Sequence, residues 1–259
     1  MKKTYFSLFF SLILCISAIK LFSQEEAKKN TYLKFIGIES GAVFYASEFK
    51  QIDLVRKQDQ NNYPSDIYNK TSFYNWYLGA KIELRSSEYK LGIQTGLRFS
   101  TLNSMSGSNY SDKNNDFYYF LFNEDETAVE YMRLRGIKQK ANYVGIPLEF
   151  RYLMLRSKYV KLFCKASTEF QYLVNSKSDV YFLKEEMEVH ENEVIEKFNK
   201  PNKLLSTLYF SGGIKFGSDE NINFNFEAVF LSFVLSDNNS IINKPLAGGG
   251  FQVNIQVPF

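Results

Sequence analysis

The fold of this chain is decided by one stretch of alternating residues, Phe73-Tyr-Asn-Trp-Tyr-Leu-Gly-Ala-Lys-Ile-Glu-Leu84. Its even positions carry apolar or aromatic side chains, namely Tyr74, Trp76, Leu78, Ala80, Ile82 and Leu84. Its odd positions include small and polar residues, namely Asn75, Gly79, Lys81 and Glu83. Because successive side chains of a β-strand point to opposite faces, the stretch predicts a strand with one apolar face and one face of glycine and charge.

Seven further segments repeat this two-residue period. They lie at residues 35–45, 91–99, 144–152, 160–172, 208–216, 222–230 and 251–259, and the first of them is the weakest. The spacers between the eight segments are alternately long and short. The short spacers are Ser86–Tyr89, Leu155–Lys158 and Ser218–Asn221, and the long ones are residues 46–72, 100–141, 174–203 and 236–247. A transmembrane β-barrel needs this arrangement, with tight turns at one end and long loops at the other.

The predicted fold is therefore all-β, an eight-stranded antiparallel transmembrane β-barrel with an N-terminal signal peptide. Two soluble folds also have alternating strands: a β-sandwich, whose polar face meets water, and a lipocalin-like barrel, whose apolar face surrounds a ligand. Here glycines and charges share one face, and the opposite face is almost uncharged. Aromatic residues lie near strand ends, where membrane interfaces favour them: Tyr74, Trp76, Tyr152, Tyr172 and Phe259. The membrane barrel is the favoured interpretation.

Spacer length predicts how the barrel sits in a Gram-negative outer membrane. Short turns should face the periplasm and long connections the outside, and an even number of strands places both termini in the periplasm. Two long connections contain further structure. Asp116–Phe122 and Ala128–Lys138 flank the turn-like Asn123–Glu126 and predict a hairpin that extends two strands beyond the bilayer. Val180–Val189 and Glu193–Phe198 predict either a similar extension or a short helix.

The start of the chain has the features of an export signal. Lys2 and Lys3 precede the apolar stretch Phe6–Ile19, and Ser23 supplies a small residue at the cleavage point. A membrane-anchoring helix is the alternative, but such a helix needs roughly 20 apolar residues. We therefore expect a signal peptide at 1–23, a periplasmic segment at 24–31 and one barrel domain at 32–259.

Charge and cysteine content exclude several classes of function. The chain has 31 basic and 28 acidic residues, and loss of three lysines with the signal leaves 28 of each. A neutral chain gives no electrostatic basis for binding nucleic acid. Cys15 also leaves with the signal, so Cys164 alone remains, which excludes a disulfide framework and a cysteine metal cluster. Cys164 falls in the lipid-facing register of its strand.

Twelve charged residues fall on the polar faces of the strands. They are Glu39, Lys81, Glu83, Arg85, Arg98, Glu149, Arg151, Lys161, Lys165, Glu169, Lys215 and Glu227. A barrel of eight strands is only wide enough for side chains to fill it. A salt-bridged plug is the favoured interpretation, because the two signs are interspersed and no spacing singles out one pair. The alternative is a proton or ion path, or a carboxylate pair for acid–base chemistry.

His190 is the only histidine, and it lies in the acidic stretch Glu185–Glu196 of the third long connection. A Ser-His-acid hydrolase needs its histidine held near a serine, and a long acidic loop gives little support for that. Carboxylates also bind calcium, but this stretch lacks the spacing and turn glycine of an EF-hand. Gly248–Gly250 favours a flexible start to the last strand over a phosphate-binding loop. The sequence thus predicts no catalytic residue, no cofactor and no metal ligand.

Two neighbouring strands carry a family resemblance. Tyr143–Tyr152 reads YVGIPLEFRY, and after a short turn Tyr159–Ser167 reads YVKLFCKAS. Together with Gly37–Gly41 and the closing strand that ends in phenylalanine, they resemble the PorT-like outer-membrane β-barrel family of Bacteroidota. The resemblance covers nearly all of the chain after the signal and implies an outer-membrane barrel. It also implies a link to type IX secretion and gliding, with which PorT itself is associated.

The predicted function is non-enzymatic. We expect a barrel that displays long extracellular loops to an envelope partner or ligand, since binding residues concentrate on loops held by rigid scaffolds. The expected partners are outer-membrane lipids and envelope or secretion-machinery proteins, and the sequence specifies no oligomeric state. Two alternatives stay open: a lipid-modifying barrel enzyme that uses serine or tyrosine residues at the loop bases with His190, and a narrow pore through the polar lumen.

Overall fold

The computed structural model describes residues 32–49, 55–57, 70–86, 90–107, 118–125, 128–182, 184–196, 198, 200–236 and 242–259. The predicted signal peptide, residues 1–23, and the segment 24–31 lie outside the described residues. The strands are β1 (Tyr32–Phe49), β2 (Val55–Lys57), β3 (Lys70–Ser86), β4 (Leu91–Gly107), β5 (Tyr118–Asp125), β6 (Ala128–Arg156), β7 (Val160–Phe182), β8 (Leu204–Phe216), β9 (Asn223–Val234) and β10 (Asn243–Pro258). A 3₁₀ helix, Glu185–His190, leads into the short helix α1, Glu191–Glu196.

Eight of these strands close into a ring. The order around the ring is β1, β3, β4, β6, β7, β8, β9 and β10, and the first strand pairs with the last. All neighbouring strands are antiparallel. The predicted eight-stranded antiparallel barrel is confirmed. Every ring strand has a neighbour on both sides, so backbone N–H and C=O groups are paired without an open edge inside the bilayer.

The two remaining strands extend the sheet beyond the ring. Strand β5 pairs with the first part of β6, from Ala128 to Leu134, and β2 pairs with β5. The hairpin predicted from the alternating segments on either side of Asn123–Glu126 is confirmed. The hairpin extends the sheet beside β6 beyond one end of the barrel. The long connections lie at this end, which is called the long-loop end. The opposite end is the short-turn end.

Strand ends differ from the sequence-based boundaries mainly at the long-loop end. Strand β7 runs to Phe182, although its apolar alternation stops near Tyr172. Strand β6 begins at Ala128, so the membrane segment 144–152 and the predicted extension Ala128–Lys138 form one continuous strand. Beyond Phe182 the chain forms the two short helices, so the helical alternative was correct for that part. Among the described residues, no helix is long and apolar enough to cross a membrane.

The outer face of the ring is apolar over the height of a bilayer. Exposed side chains on this face include Ile38, Leu78, Leu97, Ile146, Phe226 and Phe251. The thirteen residues of β7 from Val160 to Tyr172 make twelve steps and span about 30 Å along the barrel axis, at about 3.3 Å per step and a tilt of ~40°. That matches the hydrocarbon core of a bilayer. Exposed aromatic residues border the band at both ends, among them Phe44, Tyr74, Trp76 and Tyr172 at one end and Tyr152, Tyr159 and Phe259 at the other.

Candidate functional site

All twelve charged residues predicted to face the lumen are buried, and none is more than 5% exposed. Together with Asp219 they form two groups along the barrel axis. The central tier consists of Glu39, Lys81, Arg98, Glu149, Lys165, Glu169 and Glu227. The short-turn tier consists of Glu83, Arg85, Arg151, Lys161, Lys215 and Asp219. The inward direction of these side chains follows from the two-residue period alone.

Glu149 is the shared acceptor of the central tier. Its Oε2 accepts hydrogen bonds from Lys81 Nζ at 2.6 Å and Lys165 Nζ at 3.1 Å. Its Oε1 accepts from the Tyr209 hydroxyl at 2.6 Å and Arg98 Nη2 at 3.1 Å. Four donors around one carboxylate compensate the loss of water that burial imposes on this charge.

Arg98 ties together strands on different sides of the lumen. From β4, its Nε and Nη2 donate to Glu39 Oε1 on β1 at 3.0 and 2.7 Å. Its Nη1 donates to Glu169 Oε2 on β7 at 2.6 Å. The guanidinium also stacks on the ring of Tyr77, with Cζ 4.2 Å from the ring centroid. Neither β1 nor β7 is a neighbour of β4 in the ring, so these bonds cross the lumen.

The other carboxylates of this tier are paired as well. Glu39 forms an ion pair with Lys81 and accepts from Gln252 Nε2 at 2.6 Å. Glu227 pairs with Lys165 Nζ at 2.6 Å. The central tier is therefore a continuous network of alternating charges, in agreement with the salt-bridged interpretation of the lumen.

The short-turn tier contains two carboxylates. Glu83 Oε2 accepts from Arg151 Nη1 at 3.0 Å and from Gln94 Nε2 at 2.9 Å, and Lys215 Nζ lies 3.9 Å away. The cations also contact aromatic rings: Arg151 Cζ lies 4.1 Å from the centroid of Phe163. Such contacts stabilise a desolvated cation but supply no negative charge.

Asp219 is the second carboxylate, and sequence reasoning missed it. It lies in the turn between β8 and β9 and forms ion pairs with Arg85, with Lys161 at 3.0 Å and with Arg156 at 3.6 Å. Burial opposes its ionisation, but the positive charges of Arg85 and Lys161 outweigh burial and hold the pKa of Asp219 below its ordinary value. Only the position of the turn was visible in the sequence.

Above the central tier, toward the long-loop end, the lumen contains an aromatic-rich layer together with buried polar side chains such as Asn75, Ser104 and Gln139. The layer is formed by Val43, Tyr45, Phe73, Tyr77, Leu102, Ala141, Tyr143, Leu205, Tyr209 and Val229. Two tyrosines keep their hydroxyls paired: Tyr45 with Ser232 Oγ at 2.9 Å, and Tyr77 donating to Gln252 Oε1 at 2.9 Å. The two-residue period is the same in this layer and in the charged part of the lumen, so the sequence does not distinguish them.

The long-loop end of the barrel is covered by a second apolar cluster, called the cap. It consists of Leu134, Ile137, Val180, Phe182, Val194, Phe198 and Ile242. The first four come from the extended parts of β6 and β7, the next two from helix α1 and the residues after it, and the last from the connection before β10. The residue after Ile242 is also fixed, since Asn243 Nδ2 donates to Met105 O at 2.8 Å.

The cap holds the acidic connection in one orientation. Val194 is fully buried, and the carboxylate of Glu191 accepts a hydrogen bond from the backbone N–H of Val180 at 3.3 Å. This bond covers part of the β7 edge that β8 does not pair. The remaining glutamates of the segment point to solvent: Glu185, Glu186, Glu188, Glu193 and Glu196.

His190 is half-buried in this segment. Its Nδ1 is 3.2 Å from Glu193 Oε2, one helical turn away. In the described part of the chain, no group of three or more His, Cys, Asp or Glu side chains is arranged to hold a metal ion. Cys164 is exposed on the outer face of β7, in the lipid-facing register that the sequence predicted.

Comparison with known protein families agrees with the barrel described above. A family model described as outer membrane protein beta-barrel domain matches residues 22–238. No curated protein matches the chain. Among solved structures, Ail, the attachment invasion locus protein of Yersinia pestis, is similar at 11% identity and a TM-score of 0.27, over 87% of this chain and 98% of that one. The translocator domain of the autotransporter NalP from Neisseria meningitidis is similar at 7% identity and a TM-score of 0.29, over 98% of each chain.

Proposed function

Because the chain belongs to the outer membrane protein β-barrel domain family, we propose that it is a non-enzymatic outer-membrane protein that binds an envelope partner or ligand through its long connections. The lumen supports this choice over a pore, since charged and aromatic side chains occupy it from the short-turn end to the cap. Binding is then carried out by the surface above the cap.

The proposed orientation places the long-loop end outside the cell and both chain termini in the periplasm. Barrels of this class keep their tight turns on the periplasmic side and their long connections outside. Among the connections between ring strands, β3–β4, β6–β7 and β8–β9 are the short ones. Strands β1 and β10 begin and end, respectively, at the same end as these turns.

One observation carries the proposal: the acidic connection is a docked element with a defined outward face. Val194 and Phe198 lie in the cap, with Met187 and Ile195 packed against it, and five glutamates are left exposed over twelve residues. A surface fixed in this way loses less conformational entropy on binding than a mobile loop does. We expect its partner to present a basic surface, because opposite charges steer association and fix orientation.

The resemblance to the PorT-like family adds a class of partner to this proposal. Components of the type IX secretion machinery or other envelope proteins are the first candidates. The family match itself describes a barrel domain and no role, so the secretion link rests on the short motifs around Tyr143–Tyr152 and Tyr159–Ser167.

The test is recovery of partners from outer membranes in mild detergent, with identification by mass spectrometry. Wild type is compared with a variant in which Glu185, Glu186, Glu188 and Glu193 are replaced by Gln. We expect that variant to assemble normally and to lose the partner. A matched control is Glu220→Gln, which removes an exposed charge at the short-turn end.

The variant His190→Ala distinguishes a binding protein from an enzyme that uses this histidine. The display proposal expects this variant to retain its partner, since it assigns binding to the exposed glutamates, and His190 Nδ1 contacts one of them, Glu193, on the adjoining helix. If His190→Ala assembles normally but loses function, the proposal is wrong and a histidine-dependent enzyme or metal site replaces it.

A further inference from the structure

The outer face of the barrel changes in character where it leaves the apolar band toward the long-loop end. Four neighbouring strands, β3, β4, β6 and β7, form rows whose members are paired in register. The last apolar row consists of Leu78, Phe99, Val144 and Tyr172. The next row consists of Trp76, Thr101, Asn142 and Asn175, and the row after it of Tyr74, Asn103, Lys140 and Lys177. On β6 and β7, two amides therefore separate the apolar band from two lysines.

A β-bulge in β7 turns the second lysine outward. Consecutive residues of β6 pair with Leu173 and Asn175, so Val174 is an extra residue in β7. Before the bulge the even-numbered side chains of β7 face outward, and after it the odd-numbered ones do, so that the side chain of Lys177 is 78% exposed. Without the bulge, Lys177 would point toward the inner face. The bulge thus places two lysines side by side on the outside of the barrel.

The two lysines are opposite each other without a carboxylate between them. Lys140 and Lys177 are directly paired across β6 and β7, and both are exposed. Lys177 Nζ lies 2.7 Å from Asp179 Oδ1 on its own strand, and Asp179 is itself paired in register with Lys138. Among the described residues, Lys140 has no ion-pair partner. Like charges directly opposite each other in a sheet are destabilising, so an anion bound between these lysines would stabilise them.

The amide row below the lysines is held by hydrogen bonds. Thr101 Oγ1 donates to Asn142 Oδ1 at 2.9 Å, and Asn142 Nδ2 donates to Asn175 Oδ1 at 2.5 Å. Asn175, at the end of this series, is exposed. Such a row is unsuited to acyl chains, because a polar group that faces hydrocarbon without a partner is costly. It suits the hydroxyl and amide groups of a sugar.

The height of the lysines selects the kind of lipid that fits. Lys140 lies four strand steps beyond Val144, which is about 10 Å along the barrel axis at about 3.3 Å per step and a tilt of ~40°. A glycerophospholipid carries its phosphate on the glycerol next to its acyl chains, at the height of the amides. A glycolipid that carries its phosphates on sugars places them farther from the hydrocarbon. Lysine stems can also bend toward such a phosphate while their ammonium groups stay in the polar layer.

We propose that Thr101, Asn142, Asn175, Lys140 and Lys177, called the lysine face, bind a phosphorylated glycolipid of the outer leaflet. Its acyl chains would lie on the apolar row, its sugar on the amides and one phosphate between the two lysines. Charge-assisted hydrogen bonds from both ammonium groups would hold that phosphate. The inference rests on the orientation proposed above, which places the long-loop end in the outer leaflet.

The experiment measures binding of diphosphorylated lipid A to the purified folded barrel by titration in detergent, followed by native mass spectrometry. We expect the double variant Lys140→Gln/Lys177→Gln to lose affinity at least tenfold. Asp179→Asn should gain affinity severalfold, because it frees Lys177 from its carboxylate. Lys244→Gln is the matched control and should bind as wild type does, since Lys244 is an exposed lysine at the same end on β10 and is paired with Glu48.

Two further lipids separate phosphate from sugar. Dephosphorylated lipid A keeps the sugar, and cardiolipin keeps two phosphates but has no sugar, so each should bind at least tenfold more weakly than diphosphorylated lipid A. Equal binding of either lipid, an equal loss in Lys244→Gln, or unchanged binding in the double variant would overturn the proposal. Unboiled and boiled samples are compared in gel electrophoresis to verify that each variant is assembled.

Failure of this inference is distinguishable from failure of the display proposal. The lipid titration contains no protein partner, and the partner recovery changes glutamates of the acidic connection and none of the lysine face. Should the double variant fail to assemble, the single variants and Asp179→Asn decide the question. A loss in each lysine variant with a gain in Asp179→Asn supports the site, and a loss in all three overturns it.

Discussion

At the scale of single residues, the lumen shows how a buried charge is made tolerable. Glu149 has four donors within 3.1 Å, and three of them are cations from different strands. Replacing one member of such a group leaves the others buried without compensation. A single substitution in such a buried network therefore lowers stability by more than the network as a whole contributes to it.

Glu149→Gln tests this directly. It removes the negative charge shared by Lys81, Lys165 and Arg98 and should lower the free energy of unfolding by roughly 3–5 kcal/mol. The measurement is the urea midpoint of the barrel in detergent, followed by tryptophan fluorescence. Glu186→Gln serves as the control, since Glu186 is exposed on the acidic connection. A loss of less than about 1 kcal/mol, the usual value for an exposed pair, would contradict the account of this network.

Asp219 gives a prediction for the effect of pH. Its pKa is lower in the folded protein than the ordinary value of 3.8, owing chiefly to Arg85 once burial is overcome. A depressed pKa contributes stability above the unfolded-state pKa, and this stability is lost as the pH falls through the folded value. In phosphate-free buffer, wild type should be more stable than Asp219→Asn at pH 6, and the difference should shrink below pH 4. Thermal midpoints across this range provide the measurement, and a constant difference would argue against these ion pairs.

The direction of each lumen residue was predictable, and the identity of its partner was not. The period of two places Arg98 and Glu39 on the inner face from sequence alone. Their contact depends on the register of the three strands β1, β3 and β4 and on the width of the ring, neither of which a single sequence specifies. Asp219 was missed for a related reason. Its turn shows no alternation, and Asp219 reaches Arg85 only because the ring is closed.

At the scale of elements, the cap is the feature that sequence reasoning described least well. Its strand residues, Leu134 and Val180, lie beyond the membrane segments 144–152 and 160–172, in stretches for which the sequence predicted an extension of the strand or, around Val180, alternatively a short helix. Outside the bilayer the outer face of a strand becomes polar, so the pattern that marks a lipid-facing strand disappears while the strand itself continues. The helical part was foreseen as one of two alternatives, since a short stretch with apolar spacing fits both.

Val194→Asp tests whether the cap holds the acidic connection in place. It puts a carboxylate into a cluster of apolar side chains without a partner, so residues 184–198 should detach while the ring stays closed. Cleavage by a glutamate-specific protease should then be at least tenfold faster than in wild type. Val189→Asp is the control, because Val189 is 82% exposed and contributes nothing to the cap. Equal cleavage of the two variants would show that the connection is not docked.

The end of β10 gives a prediction about assembly. The backbone N–H of Phe259 donates to Lys34 O at 3.1 Å, which completes the β1–β10 seam, and its side chain is exposed at the short-turn end of the apolar band. Phe259→Glu should place a charge at the membrane interface and reduce the amount of assembled barrel in outer membranes. Phe259→Tyr keeps an aromatic interface residue and should assemble normally. Wild-type recovery of Phe259→Glu would contradict this role.

At the scale of the whole molecule, the closed ring predicts resistance to detergent. Each ring strand is hydrogen-bonded on both sides, so sodium dodecyl sulfate has no open edge to attack and the barrel should keep its compact form until boiled. Boiled and unboiled samples should therefore migrate differently in gel electrophoresis. A mutant control is deletion of β10, which opens the ring and should remove the difference. Identical mobility of the wild-type samples would count against the closed barrel.

The β1–β10 seam has a further consequence for how fast the protein reaches this state. It joins residues from opposite ends of the chain, such as Phe35 and Pro258, so the ring closes only after all other strands are in place. Contacts of such long sequence separation form late and slowly, because the entropy of the intervening chain is lost first. Until closure, β1 and β10 present unpaired edges that can pair with other chains and aggregate. The yield of folded barrel should therefore depend on how long the sheet stays open before β1 and β10 pair. A chaperone that covers either edge would increase the yield without altering the native state.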